Sequence, residues 1–196
     1  RRIGGSTRPP RGSVQDPTLT TDDCAAWIRL AAAPGLEVAA VTQFVVAAGG
    51  AAELLNASAR GLAKLAVPEA IAARLRTLAA LDTGRDLAWL DAPGHHLVPC
   101  TSAAYPALLA QTVGAPLVLY VDGDPAVLGE PQLAIVGSRN PTAVGSETAH
   151  AFAEFLGAAG LTITSGLAEG IDGAAHRGAL AGGGRTVAVC GTGLDL

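Results

Sequence analysis

Between Leu133 and Asp195, three short apolar runs each close on a glycine-bearing turn, and this constrains the fold more than anything else in the chain. The runs lie in LAIVGSRN at 133–140, TITSGLAEGIDGAAH at 162–176 and TVAVCGTGLD at 186–195. A helical pattern follows the first two. Strands alternating with helices in this rhythm predict a parallel sheet with crossover helices. In such a sheet the turns after the strands collect at one edge, where ligands bind. The turns here carry Gly, Ser, Arg, Asp and His, a set suited to a phosphate-bearing ligand.

The elements follow from the same pattern. Strands are expected at 133–136, 161–164 and 186–190. Helices are expected at about 144–159 and 171–181, the first with Ala149, Phe152, Ala153, Phe155 and Leu156 on its apolar side. Residues 19–85 read as a small all-helical module. Thr20, Thr21 and Asp22 offer N-caps, Pro34-Gly35 and Gly49-Gly50 offer breaks, and Pro68 suits the start of a helix reaching Asp82. Residues 1–18, rich in Gly, Pro, Arg and Ser, read as a disordered tail. The stretch from 86 opens the α/β domain. Leu97-Val98 and 117–121 are expected as strands at its edge, 103–111 as a helix, and Asp122-Gly123-Asp124-Pro125 as a turn.

Composition narrows the functional classes. Apolar residues make up 49% of the chain, enough for a proper core. No unbroken apolar run reaches the length of a membrane span, and no signal-peptide core follows Arg1, Arg2 and Arg8. A cytoplasmic protein is the expectation. The formal net charge is −4, which argues against a generic nucleic-acid sponge. The basic side chains of 130–196 are Arg139, Arg177 and Arg185. An anion site there must rest on a few placed cations and on backbone N–H groups. Cys24, Cys100 and Cys190 lack metal-like spacing and read as reduced thiols. The absence of methionine, and an end just after a strand and turn, suggest a fragment of a longer α/β protein.

The turns carry the chemistry. In Gly137-Ser138-Arg139 the glycine admits close approach to the backbone, the serine offers a hydroxyl, and the arginine offers a forked set of donors. An ordinary turn with a surface arginine would read the same way. Ser165, Gly166, Leu167, Ala168 and Gly170 form a tighter turn, ahead of a helix whose N-terminus favours anions. Asp172, in the first turn of that helix, suits capping, a hydrogen bond from a base or sugar, or the orienting of a neighbouring loop. His176 follows four residues later on the same face and suits either packing or binding. A catalytic set of Ser165, His176 and Asp172 lacks the Gly-x-Ser-x-Gly elbow. Dinucleotide and Walker fingerprints are absent, and no metal or cofactor is expected. The site reads as a phosphate holder without a means of breaking bonds.

These motifs resemble the DNA-processing protein A (DprA/Smf) family. The resemblance rests on Tyr105-Pro106, APLVLYVDGD at 115–124, AIVGSR at 134–139, TSGLAEGIDGAAH at 164–176 and VAVCGTGLD at 187–195. It implies an extended Rossmann-like domain, preceded by a sterile-alpha-motif-like helical domain at 19–85 and truncated within 86–196. It implies single-stranded DNA binding in natural transformation and recombination, protection of incoming DNA, and loading of the RecA recombinase. It further implies a homodimer in the full-length parent, no catalysis and no nucleotide cofactor. Binding roles carry over onto Gly137, Ser138 and Arg139, and onto the turn from Ser165 to Asp172. The alternative is a nucleotide-processing Rossmann-like hydrolase of the lysine-decarboxylase-like type. Its PGGxGTxxE pattern has only Cys190-Gly191-Thr192-Gly193-Leu194-Asp195 as a counterpart, without the proline or the glutamate.

Overall fold

The computed structural model describes residues 19–33 and 35–194. The tail expected over 1–18, Pro34, Asp195 and Leu196 lie outside the described residues.

The N-terminal half is helical because its caps and breaks are closely spaced. Helix α1 (Thr21–Ala31) starts on a capping box: the Asp23 N–H donates to Thr20 Oγ1 at 3.1 Å, and the Thr20 N–H donates to the Asp23 carboxylate at 3.2 Å. Helix α2 (Val38–Ala48) ends at Gly49, whose φ of +91° is a left-handed cap. Then come α3 (Ala51–Asn56), α4 (Ala59–Lys64), α5 (Glu69–Leu78) and α6 (Gly84–Leu90). The sequence pattern runs α5 on to Asp82 and passes over α6. That helix is only seven residues long, begins on a glycine, and buries no residue fully, so it carries almost no periodic signal.

Strands β1 (His95–Pro99) and β2 (Val118–Asp122) pair antiparallel with each other, Leu97 opposite Tyr120. They do not extend the parallel sheet, which corrects the expectation of edge strands. The reason is burial. Leu97, Leu117 and Val118 join the cluster formed by Trp27, Leu30, Phe44, Leu54 and Leu75, so this hairpin closes the helical core. Between the strands, α7 (Ala107–Ala110) is shorter than the expected 103–111. The Tyr105 hydroxyl donates to the Pro116 carbonyl at 2.6 Å and ties that connection together.

The α/β pattern appears as the sequence requires. Strands β3 (Gln132–Ala134), β4 (Thr162–Ser165) and β5 (Thr186–Ala188) form a parallel sheet in the order β3-β4-β5. Helices α8 (Ala143–Ala158) and α9 (Ile171–Ala181) are the crossovers. They pack on each other and both on β4, so they cover one face of the sheet. Ile163, Ala153, Ala175 and Ala179 form the core between them. Glu130 knits the opposite end of the sheet by accepting from the Thr162 hydroxyl at 2.9 Å and pairing with Arg185. No helix among the described residues is long and apolar enough to cross a membrane.

The seam between α8 and α9 corrects one detail. Ala149, Ala153 and Gly157 are buried, whereas Phe152 and Phe155 are 57% and 71% exposed. The helices approach too closely for aromatic rings. A Cβ on Gly178 would lie 2.2 Å from the His150 carbonyl oxygen, and one on Gly182 would lie 2.3 Å from that of Glu154. Gly178→Ala should therefore force the helices apart and destabilise the fold by about 1–3 kcal/mol, the usual cost of overpacking. Urea unfolding measures this, and an unchanged midpoint would show that the seam yields without cost.

Candidate functional site

Strands β3, β4 and β5 end at a common edge because their register is parallel. Ala134 lies opposite Thr164, and Ser165 opposite Ala188. The ladder continues one step beyond the strands, with Ile135 N–H donating to the Thr164 carbonyl and Val189 N–H to that of Ser165. The turn Gly137–Asn140 and the turn Gly166–Gly170 therefore stand side by side.

Asp172 joins them. Its side chain is buried beside both turns, with the residue only 6% exposed. Oδ1 accepts from the Gly137 N–H at 3.3 Å, and Oδ2 accepts from the Gly166 N–H at 3.1 Å. A second tie runs from the Ile171 N–H to the Ser138 carbonyl at 3.1 Å. Gly170 makes this approach possible: its φ is +84°, and a Cβ there would lie 2.3 Å from the Ser138 carbonyl oxygen. The Ser165 hydroxyl is also turned inward and donates to the Ile135 carbonyl at 2.6 Å. Of the roles open to Asp172, the structure contains the loop-orienting one.

The outer surface of the two turns is different. Gly137, Ser138, Arg139, Gly166, Leu167 and Glu169 are exposed, while Ala168 and Gly170 are half-buried. The backbone N–H groups of Ser138, Arg139, Leu167, Ala168 and Glu169 donate to no acceptor among the described residues. Ser138 Oγ accepts from the Asn140 N–H at 3.1 Å, which leaves its own proton to donate outward. Arg139 pairs with no carboxylate among the described residues. Leu167 has φ +59° and is 61% exposed. A left-handed leucine is strained by roughly 1–3 kcal/mol, and such strain concentrates at ligand-binding turns. The Asp172 carboxylate already offsets the positive end of α9. Attraction for an anion therefore rests on Arg139 and the free N–H groups.

His176 lies behind this surface, 7% exposed. Its Nδ1 is 2.6 Å from Thr186 Oγ1, and the Thr186 hydroxyl donates to the Ile163 carbonyl at 2.7 Å. Thr186 therefore accepts, and Nδ1 carries the proton. Nε2 is buried with no partner among the described residues. Burial lowers the imidazole pKa, against an opposing pull from Asp172. Ser165, Asp172 and His176 each bond elsewhere, so they form no nucleophilic triad. The described residues contain no group of three or more His, Cys, Asp or Glu placed to hold a metal.

Arg177 enters the sequence reading only as one of the three basic side chains of 130–196, with no place in a motif. Arg177 folds back along α9, so that Nη1 stands 3.2 Å from where a Gly173 Cβ would be. The available signal was its rarity, since few cations occur in this half of the chain.

Taken together, these features define a Rossmann-like α/β unit whose strand-end edge is built from two turns clamped by one carboxylate. Residues 96–196 match the family model of DNA recombination-mediator protein A, and the chain belongs to that family. It is 47% identical over 109 residues to Protein Smf of Escherichia coli K12, covering 56% of this chain and 29% of that protein. It is 44% identical over 92 residues to the DNA processing protein DprA of Streptococcus pneumoniae, covering 47% and 32% respectively. The chain thus spans about a third of the length of these curated relatives. The X-ray structure of DprA from Streptococcus pneumoniae superposes with a TM-score of 0.63 at 26% identity, covering 91% of this chain and 60% of that one.

Two outcomes follow for the clamp. Asp172→Asn places an amide N–H₂ against one of the two loop N–H groups, and should cost roughly 1.5–3 kcal/mol, the range for charged hydrogen bonds. Urea unfolding reads the loss, and fast amide exchange at Gly137 or Gly166 locates it. For His176 the folded pKa lies below 6.5, so the unfolded chain binds more protons in mildly acidic solution. Its contribution should be complete above pH 6.5 and lost as the pH falls through the lowered folded value. His176→Asn, which retains a donor for Thr186, should flatten that part of the melting-temperature profile. A mutant profile parallel to wild type would remove His176 as its source.

Proposed function

We propose that this chain forms part of a single-stranded DNA-binding protein of recombination and natural transformation. The observation that carries the reading is the pair of turns clamped by Asp172, with free N–H groups and Arg139 facing outward. Such a surface takes phosphodiester oxygens without reading bases. Single-strand preference follows from charge. A duplex binder gains affinity by neutralising many phosphates, and this half of the chain has few cations to do so. Two adjacent turns, one strand spacing apart, suit one narrow backbone. The name DNA processing protein, carried by relatives, agrees with a DNA ligand.

On this reading the protein protects incoming strands and helps load RecA, works as a homodimer in the cytoplasm, and catalyses no reaction. Gly137, Ser138, Arg139, Gly166, Leu167, Ala168 and Gly170 form the contacting surface. Ser165, Asp172 and His176 hold it in shape from behind.

Fluorescence anisotropy over a salt series tests this with the full-length protein. Labelled single strands of unrelated sequence should bind alike and more tightly than duplex. Equal or tighter duplex binding at matched salt would sink the reading. Arg139→Ala should weaken binding to all sequences and make the logarithmic salt slope shallower by about 0.7 to 1. Arg139→Lys should recover only part of the affinity, because the forked geometry is lost.

A further inference from the structure

We infer that Arg177 is a second phosphate-contacting cation, extending the path of the strand from the clamped turns into the cleft between α8 and α9. The inference rests on the single-stranded DNA reading above and adds a residue that the motif does not contain. The argument begins with where the charge lies. Arg177 sits on the second turn of α9, and its side chain runs back toward the helix N-terminus. Its Nη1 and the Ala168 carbonyl oxygen lie 3.2 and 3.5 Å from the same point, the position a Cβ on Gly173 would take. The Gly173 N–H donates to that carbonyl at 3.1 Å, so Gly173 is fixed against the turn. The Gly166–Gly170 turn thus has the Arg139 backbone at its Gly170 end and the Arg177 guanidinium at its Ala168 flank. Glycine at 173 leaves the space the guanidinium occupies.

The second observation concerns which cations are available. Arg185 is paired with Glu130 at the far end of the sheet. Arg139 and Arg177 are exposed and pair with no carboxylate among the described residues. Arg139 through its backbone and Arg177 through its guanidinium therefore both adjoin this turn. Beyond Arg177 the surface opens into a cleft of about 320 Å³ lined by Ser146, Glu147, His150, Ala174 and Arg177. The depression is shallow and open to solvent, so it could pass a chain along its floor rather than enclose a ligand. Ser146 supplies a hydroxyl there. Glu147 is the one carboxylate in the lining, and its charge opposes an anion there, so the contact proposed rests on the Arg177 guanidinium.

The test uses the full-length protein and a labelled oligothymidylate over a salt series, with Arg139→Ala as the reference. Arg177→Ala should lower the magnitude of the salt slope by about 0.7, one single-strand phosphate contact. Arg177→Lys should retain the slope, because a point charge suffices for counterion release. The double variant with Arg139→Ala should lose both increments. Because Arg177 is exposed, its melting temperature should not move, so a changed slope reports contact rather than folding. An unchanged slope in Arg177→Ala, with Arg139→Ala still reduced, would overturn this inference and leave the single-stranded reading intact. If neither variant alters the slope and duplex binds as well as single strand, the underlying reading fails and this inference falls with it.

Discussion

One carboxylate organises the strand-end edge of this protein's parallel sheet. Asp172 uses both oxygens to hold two backbone N–H groups from turns far apart in sequence. Those N–H groups face inward, while the neighbouring Ser138 and Leu167 are exposed and their N–H groups donate to no acceptor among the described residues. The same arrangement fills the role at the start of α9 that a bound anion would otherwise take. The charge of the helix end is thus already met within the protein, and what this edge turns outward is the exposed Arg139 and loop N–H groups that donate to no acceptor among the described residues.

The clamp works because the surrounding packing is close and built from small residues. Glycines at 178 and 182 bring α9 against the backbone of α8. Ala175 and Ala179 then fill the space above Ile163. With α9 held there, Asp172 and Ile171 fall beneath the two turns, and His176 falls against Thr186. The order of dependence runs from small residues to helix position, then to the carboxylate, then to the turns.

Much of this was legible in the sequence. Glycine-bearing turns after apolar runs gave the parallel sheet, and the spacing of Asp172 from Ser165 put the carboxylate near the turn. What stayed hidden was direction. A pattern cannot say that Ser165 donates inward to Ile135, or that Asp172 reaches across to Gly137, because both depend on a neighbouring strand. The aromatic residues Phe152 and Phe155 misled for a related reason: hydrophobicity marks a face, but only interhelical distance decides which face is packed. Alternation reveals the strands β1 and β2 without naming their partners, so the pattern alone places them at the edge of the parallel sheet rather than with each other. Arg177 counts in the sequence only as a scarce cation, because nothing in the pattern shows that its side chain runs one helical turn back toward Gly173.

Leu167 shows what such a rigid edge means for binding. The Gly166 N–H before it is held by Asp172, and the Ala168 carbonyl after it accepts from Gly173. Its unfavourable backbone angle is thus imposed from both sides before any ligand arrives. A loop that folds around its target loses conformational entropy in doing so, and affinity falls accordingly. Here that loss belongs to folding of the protein itself. For any ligand that docks on these turns the mould is set beforehand, and the disorder surrendered on association would fall chiefly on that ligand.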